Sequence, residues 1–240
     1  MTAELPSLVE QQAYWDDRWT RQNSPNEYQL QRGETILGIL RSIPLRHPEI
    51  LDLGCGTGWF TARLAEATSG RVTGIDLSET AIASARRSHP GVEFRAANIL
   101  ETPLPAGHYD VVISQEVLPH VEDPPGYLDL IARILKPSGY LIITSANRFV
   151  MERWDHGGPD PDSHLKLYPT RRQFARMLRR HFRVLRTTNV ISVGDRGILR
   201  LANSARLNRA MTRLVPQRYV DRFREWAGLG YTLIALAQKP

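Results

Sequence analysis

Three groups of residues in this 240-residue chain are spaced so that they could do chemistry. Asp52 closes the apolar run "EILDL" and is followed by Gly54, Gly56 and Gly58 at the start of the helix-like "GWFTARLAEATS". Asp76 closes the next apolar run, "RVTGID", 18 residues after Gly58. Glu116 and His120 follow a third, "YDVVIS". Glycines let the backbone turn tightly and approach a ligand, and the helix that follows offers unpaired N–H groups at its start. A carboxylate closing the second strand can accept both hydroxyls of an adenosine ribose. A carboxylate and an imidazole after a strand can act as a proton acceptor or share a metal ion.

These residues need a scaffold, and the pattern around them supplies one. "EILDL", "RVTGID", "VEFRAANI", "YDVVIS" and "GYLIIT" read as strands. Between them "GWFTARLAEATS", "SETAIASARRSH" with Ser78 at its cap, and "YLDLIARILKPSG" read as helices, the last predicted to stop at Pro137 and Gly139. Alternating strand and helix argues a parallel α/β sheet covered on both faces. Two helix-like segments, "SLVEQQAYWDDRWTRQ" and "YQLQRGETILGILRSI", precede it. After Ser145 the pattern changes to a long Gly/Pro-rich loop, a length that points to function. "TRRQFARMLRRH" with Thr170 at its cap is a predicted helix, "FRVLRTTNVISV" a strand, and "GYTLIALAQ" a closing strand. In residues 196–215 Ile198, Leu201, Ala205, Met211 and Leu214 fall on one helical face, with Arg206, Arg209 and Arg213 opposite.

With 42% hydrophobic residues the chain can bury one sizeable core. Cys55 is the only cysteine, which excludes an internal disulfide and fits a reducing, cytoplasmic setting. No apolar signal segment is evident at the N-terminus, and "YLIITS" is too short to span a bilayer. The net charge of +6 is unevenly spread. Residues 1–170 hold 15 Lys and Arg against 22 Asp and Glu, whereas residues 171–224 hold 15 Arg against two acids. That block reads either as an anion-facing surface or as a pair of solvated Arg-rich helix faces.

A dinucleotide site would require G-x-G-x-x-G, with glycine at Trp59; the chain has D-x-G-x-G-x-G instead. A pyrophosphate gains nothing from Asp52, while a cationic amino-acid moiety does. Here the chain resembles the class I S-adenosylmethionine-dependent methyltransferases over residues 45–147. The resemblance implies a Rossmann-like methyltransferase fold. Its sheet is seven-stranded and mostly parallel with an antiparallel edge hairpin, preceded by N-terminal helices, with a basic helical insertion before the last strand. It implies one domain, with a cap over 1–44, a cofactor-binding core over 45–147 and an acceptor-side part over 148–240. It implies S-adenosyl-L-methionine as cofactor, lined by Asp52, Gly54, Cys55, Gly56, Gly58 and Gln115, with Asp76 on the ribose and Leu77 on the adenine. The family's acid after strand three is replaced by Asn98, whose amide oxygen can still accept the adenine amino hydrogen, with Ile99 against the ring.

Within the family, the finer resemblance is to the small-molecule O-methyltransferases of ubiquinone biosynthesis. Their metal-capable E-x-x-E-H reads here Glu116-Val-Leu-Pro119-His120, so proline replaces one ligand and no metal is expected. His120 reads either as general base for a hydroxyl acceptor or as a structural histidine at a helix edge. "DPPGY" resembles the Pro-Pro-aromatic loop of nucleobase methyltransferases, but Asp123 lies nine residues beyond Ser114. It reads instead as a helix start, which makes a nucleic-acid partner unfavoured. Tyr14, with Trp15 and Trp19, belongs to a helix that in related enzymes closes over the cofactor, and so faces either the methyl site or a neighbouring helix. Arg32 reads as a partner of the methionine carboxylate or, preferably, as a surface residue. Arg148, His164 and Tyr168 flank or occupy the loop where acceptor specificity resides. The resulting expectation is methyl transfer to an oxygen of a small molecule by Glu116, His120 and Tyr14. An anionic or lipid-like acceptor and peripheral membrane contact through the Arg block stay open, as does the oligomeric state.

Overall fold

The structure, a computed structural model, describes residues 7–22, 24–154, 168–194, 196–204 and 228–240, with 209, 215, 216 and 219 as isolated positions. One sheet is built from β1 (Glu49–Leu53), β2 (Arg71–Asp76), β3 (Glu93–Ala96), β4 (Tyr109–Ser114), β5 (Leu135–Ala146), β6 (Arg183–Val190) and β7 (Thr232–Gln238). Their order is β3-β2-β1-β4-β5-β7-β6. β1 to β5 pair in parallel, and β7 runs antiparallel to both β5 and β6. This is the parallel sheet that the strand pattern predicts, with the antiparallel edge that the family resemblance implies. The strand order reverses between β1 and β4, so their carboxyl ends open a crevice where α/β folds place ligands.

Helices cover both faces, which is why the central strands are apolar without alternation. Along β4, Val111 and Ile113 face α2 (Glu27–Arg41) and α3 (Trp59–Ala67), where Ile36, Leu37, Phe60 and Leu64 are buried. Val112 faces α5 (Pro124–Ile134) and α7 (Arg171–Leu178), packing with Tyr127, Ile131, Phe174 and Leu178. Each such aliphatic side chain contributes about 1.5–3 kcal/mol on burial. α1 (Leu8–Arg21) has no buried residue of its own. Capping boxes start α1 at Ser7 and Glu10 and α2 at Asn26 and Gln29. Asp16 of α1 accepts hydrogen bonds from the Ser78 hydroxyl and the Thr80 N–H, at the start of α4 (Glu79–Ser88).

Several predicted boundaries move. α5 ends at Ile134, not at Pro137. Leu135 already pairs with Tyr109, and pairing resumes only at Val111 with Tyr140, so Pro137 and Gly139 lie in an irregularity of β5. Proline and glycine are tolerated there because a bulge leaves a ladder position unfilled. β3 stops before Asn98, whose side-chain oxygen accepts the Leu100 N–H in a local turn. "DPPGY" does start a helix: Asp123 caps α5 through the Gly126 N–H. The region after β5 contains α6 (Arg148–Met151), and His164 lies outside the described residues. Of the predicted helix over 196–215 the structure describes α8 (Gly197–Ala202) and an exposed Arg209; Arg206 and Arg213 lie outside the described residues.

Candidate active site

The carboxyl ends of β1, β2 and β4, roofed by α1 and α2, enclose a cavity of about 620 Å³. At one end stands Asp52. Its Oδ2 accepts the Thr61 hydroxyl at 2.7 Å, and its buried Oδ1 has no partner among the described residues. Burial pushes its pKa up to about 7; the Thr61 hydrogen bond opposes this, Asp76 adds to it and Arg32 opposes it. A buried carboxylate with an open oxygen is costly unless a cation or donor completes it.

Gly54, Gly56 and Gly58 have left-handed backbones, with φ of 70, 54 and 78°. The loop folds back on β2: the N–H groups of Gly54 and Cys55 both donate to the Ile75 carbonyl. The Gly56 N–H donates to Asp76 Oδ2 at 2.8 Å, while the Ser78 N–H donates to Asp76 Oδ1 at 2.9 Å. Asp52, Gly54, Cys55 and Asp76 line the cavity, but Gly56 and Gly58 are outside its wall. Those two are required for close packing instead. A Cβ on Gly56 would stand 2.6 Å from the Trp19 ring, and one on Gly58 2.6 Å from Phe94. Cys55 is a buried small residue whose thiol pKa is raised by burial, which leaves it unreactive. Leu77, Asn98 and Ile99 line the far end. Asn98 Oδ1 already accepts the Leu100 N–H, and its second lone pair remains for a ligand.

The opposite wall carries Gln115, Glu116 and His120. Glu116 has φ of 57°, a left-handed conformation that is uncommon without glycine and that points to a functional constraint. Thr144 holds it there twice: its Oγ1 accepts the Glu116 N–H at 3.0 Å and donates to Oε1 at 2.8 Å. Arg32 corrects the preferred surface reading. Its side chain is only 12% exposed; Nε donates to Gln115 Oε1 at 3.0 Å, and a guanidinium nitrogen lies 3.6 Å from Glu116 Oε1. His120 ends a 3-10 turn, Leu118–His120, with its ring edge-on to Trp15 at 4.9 Å. Trp15 in turn packs edge-on to Tyr14 at 5.1 Å, and Tyr14 also lines the cavity. Among the described residues no group of three or more His, Cys, Asp or Glu could hold a metal ion.

Sequence reasoning missed one part of this wall. Trp154 packs edge-on to both Tyr28 (6.0 Å) and Tyr231 (5.4 Å), and all three line the cavity. The signal for Tyr231 was available: it immediately precedes an antiparallel strand, so it must land at the carboxyl end of β5. Tyr168 lines the cavity as expected for the loop. Arg148 does not; it donates to Gln173 at 3.0 Å and lies 3.9 Å from Glu152. The described arginines of the Arg block are also outside the wall. Arg172, Arg176, Arg179 and Arg180 are exposed around α7, whose apolar side is packed into the core, and Arg183 and Arg186 are exposed on β6.

Residues 51–143 match the family described as the methyltransferase domain. The chain is 37% identical over 100 residues to a probable S-adenosylmethionine-dependent methyltransferase of Mycobacterium tuberculosis, covering 42% of this chain and 36% of that protein. It is 38% identical over 109 residues to a ubiquinone biosynthesis O-methyltransferase of Bordetella avium, covering 43% and 45%. It therefore spans less than half the length of these curated relatives. The solved [4+2]-cyclase SpnF shares the fold across 98% of both chains, with a TM-score of 0.69 at 20% identity. Solved S-adenosylmethionine-dependent methyltransferases share it as well. Residues 51–143 are thus similar to a methyltransferase domain, and the chain has the Rossmann-like fold of solved S-adenosylmethionine-dependent methyltransferases.

Proposed function

We propose that the protein transfers a methyl group from S-adenosyl-L-methionine to an oxygen of a small molecule. The observation that carries this reading is a single cavity with the Asp52–Gly54–Asp76 cradle at one end and His120, Glu116 and Tyr14 at the other. The cradle fits the cofactor: Asp52 has a buried oxygen in want of a cationic partner, and Gly54 keeps the wall free of side-chain bulk. When bound, the cofactor supplies an electrophilic methyl on a sulfonium. Asp52 holds its ammonium, Asp76 its ribose hydroxyls, and Leu77, Asn98 and Ile99 its adenine, while Gly54, Cys55 and Gln115 flank the methionine part. His120 receives the proton that the acceptor oxygen releases as it is methylated, and Tyr14 and Glu116 position the acceptor. In this reading residues 1–44 roof the site, 45–147 hold the cofactor and 148–240 complete the acceptor side.

The resemblance to ubiquinone-pathway relatives supports oxygen as the methylated atom. The test is a screen of labelled methyl transfer to phenols, alcohols, carboxylates and amines, beside calorimetry with S-adenosylhomocysteine. Transfer to amines alone, or no affinity for S-adenosylhomocysteine, defeats it. The exposed arginines of α7 and β6 favour a second reading, in which the same chemistry serves an acceptor on an anionic surface such as nucleic acid or membrane. Absence of binding to RNA and to anionic vesicles at low salt would end that reading.

A further inference from the structure

The acceptor end of the cavity combines two features that no local motif announces. The first is a charge pair held in place. Arg32 and Thr144 both engage Glu116 through Oε1, and Oε2 carries no hydrogen bond among the described residues. The Arg32 and Glu116 side chains are 12% and 24% exposed, so their charges are weakly screened and largely cancel. The second is an aromatic wall. Tyr28, Trp154 and Tyr231 stand edge to face, and the Tyr231 hydroxyl has no hydrogen-bond partner among the described residues. Burial first, then the nearby charges of Glu116 and Tyr168, raises the pKa of Tyr231, which keeps its hydroxyl a donor at every working pH.

Together these leave one fixed acceptor atom, Glu116 Oε2, one fixed donor, the Tyr231 hydroxyl, and flat apolar surface beside them. A carboxylate placed there would meet Glu116 and find only one donor. An ammonium would meet Arg32 and leave the Tyr231 hydroxyl without an acceptor. An uncharged group that both donates and accepts satisfies both walls, and an unpaired buried polar atom is what such sites discriminate against most strongly.

We infer that Glu116 and Tyr231, with Arg32 as counter-charge and Trp154 as platform, form a specificity subsite for a planar acceptor bearing an uncharged donor–acceptor group, a hydroxyl or an amide, distinct from the oxygen that is methylated at His120. This rests on reading the cavity as a methyl-transfer site. It makes an acceptor anionic at this end unfavourable.

The test uses the full chain loaded with S-adenosylhomocysteine and three matched fragments: benzamide, benzoate and benzylamine. Affinity for S-adenosylhomocysteine is measured first, and its absence defeats the methyl-transfer reading itself. Fragment binding then follows by ligand-observed NMR, with no turnover required. Benzamide binds about tenfold more tightly than either charged fragment, the difference between a satisfied and an unsatisfied buried partner. Tyr231→Phe lowers benzamide affinity about tenfold and leaves S-adenosylhomocysteine binding unchanged. Glu116→Gln leaves Arg32 uncompensated, and benzoate overtakes benzamide. A retained thermal shift with S-adenosylhomocysteine shows that the Glu116→Gln protein is folded. Tighter binding of a charged fragment to the unsubstituted protein, an order unchanged by Glu116→Gln, or no binding of any fragment at millimolar concentration overturns the subsite while leaving the methyl-transfer reading standing.

Discussion

Asp76 Oδ2 accepts the Gly56 N–H at 2.8 Å, so the acid that closes β2 also fastens the glycine loop that follows β1. Its other oxygen fastens Ser78. Asp76→Ala therefore removes two internal hydrogen bonds as well as the proposed ribose acceptor. The expected result is a stability loss of about 2–4 kcal/mol, from two buried N–H groups left unpaired, together with loss of measurable S-adenosylhomocysteine binding. Denaturant unfolding and calorimetry on one preparation check both. A stable protein with unchanged affinity would remove Asp76 from the site.

Asp52 makes ligand binding depend on pH. Its pKa is about 7 in the fold against an ordinary 3.8. The fold thus holds a proton that the unfolded chain releases. This contribution to stability is fully present below pH 3.8 and disappears as the pH rises through about 7. The ligand-free protein should melt progressively lower across that window, and Asp52→Asn should flatten the trend. A cationic ligand group instead favours the ionised carboxyl. S-adenosylhomocysteine should then bind more tightly as pH rises toward 7, by up to about tenfold per pH unit, with release of a proton. Calorimetry in buffers of different ionisation enthalpy measures that proton directly.

His120→Ala should lower turnover with hydroxyl acceptors by about 10²–10⁴-fold and with carboxylate acceptors far less, because a carboxylate arrives already ionised. His120 also packs on Trp15, so His120→Phe keeps the ring contact while removing the proton acceptor. Equal losses for both acceptor types, or full activity in His120→Phe, would leave His120 only a packing role.

Gly54 tolerates no side chain. A Cβ there would lie 2.2 Å from Val117 Cγ2, on a backbone with φ of 70°. Gly54→Ala should destabilise the fold by about 1–3 kcal/mol through overpacking and backbone strain. Adding Val117→Ala should restore the part due to the clash and not the part due to φ, so a double-mutant cycle separates the two. A cycle with no coupling would mean that Val117 simply moves aside.

The proposed cofactor end of the cavity was legible in the chain because its residues are local. Asp52, Gly54 and Cys55 sit within one strand–turn–helix, and Asp76 ends the strand beside it, so spacing alone carries them to the crevice. The acceptor end was only partly legible. Glu116 and His120 follow β4 closely enough to be placed, but Tyr28 and Arg32 of α2, Trp154 and Tyr231 come from three distant segments and meet only through tertiary packing. Arg32 illustrates why: nothing near it in sequence distinguishes a half-turn of α2 that faces solvent from one that faces Gln115 and Glu116. The end of α5 was misplaced for a different reason. Pro137 is a sound helix stop, yet pairing of Leu135 with Tyr109 ended the helix earlier, a contact across 26 residues that local propensity does not contain.

α1 roofs the cavity without burying any residue of its own, and its ties to the body include Asp16 at Ser78 and Thr80, Trp15 against His120, and Trp19 over Gly56. A helix so attached comes loose at a small fraction of the free energy needed to open the sheet. The cavity beneath it therefore has a doorway whose hinge is thermal rather than chemical. In the proposed reading, departure of the spent cofactor waits on that weakly held roof.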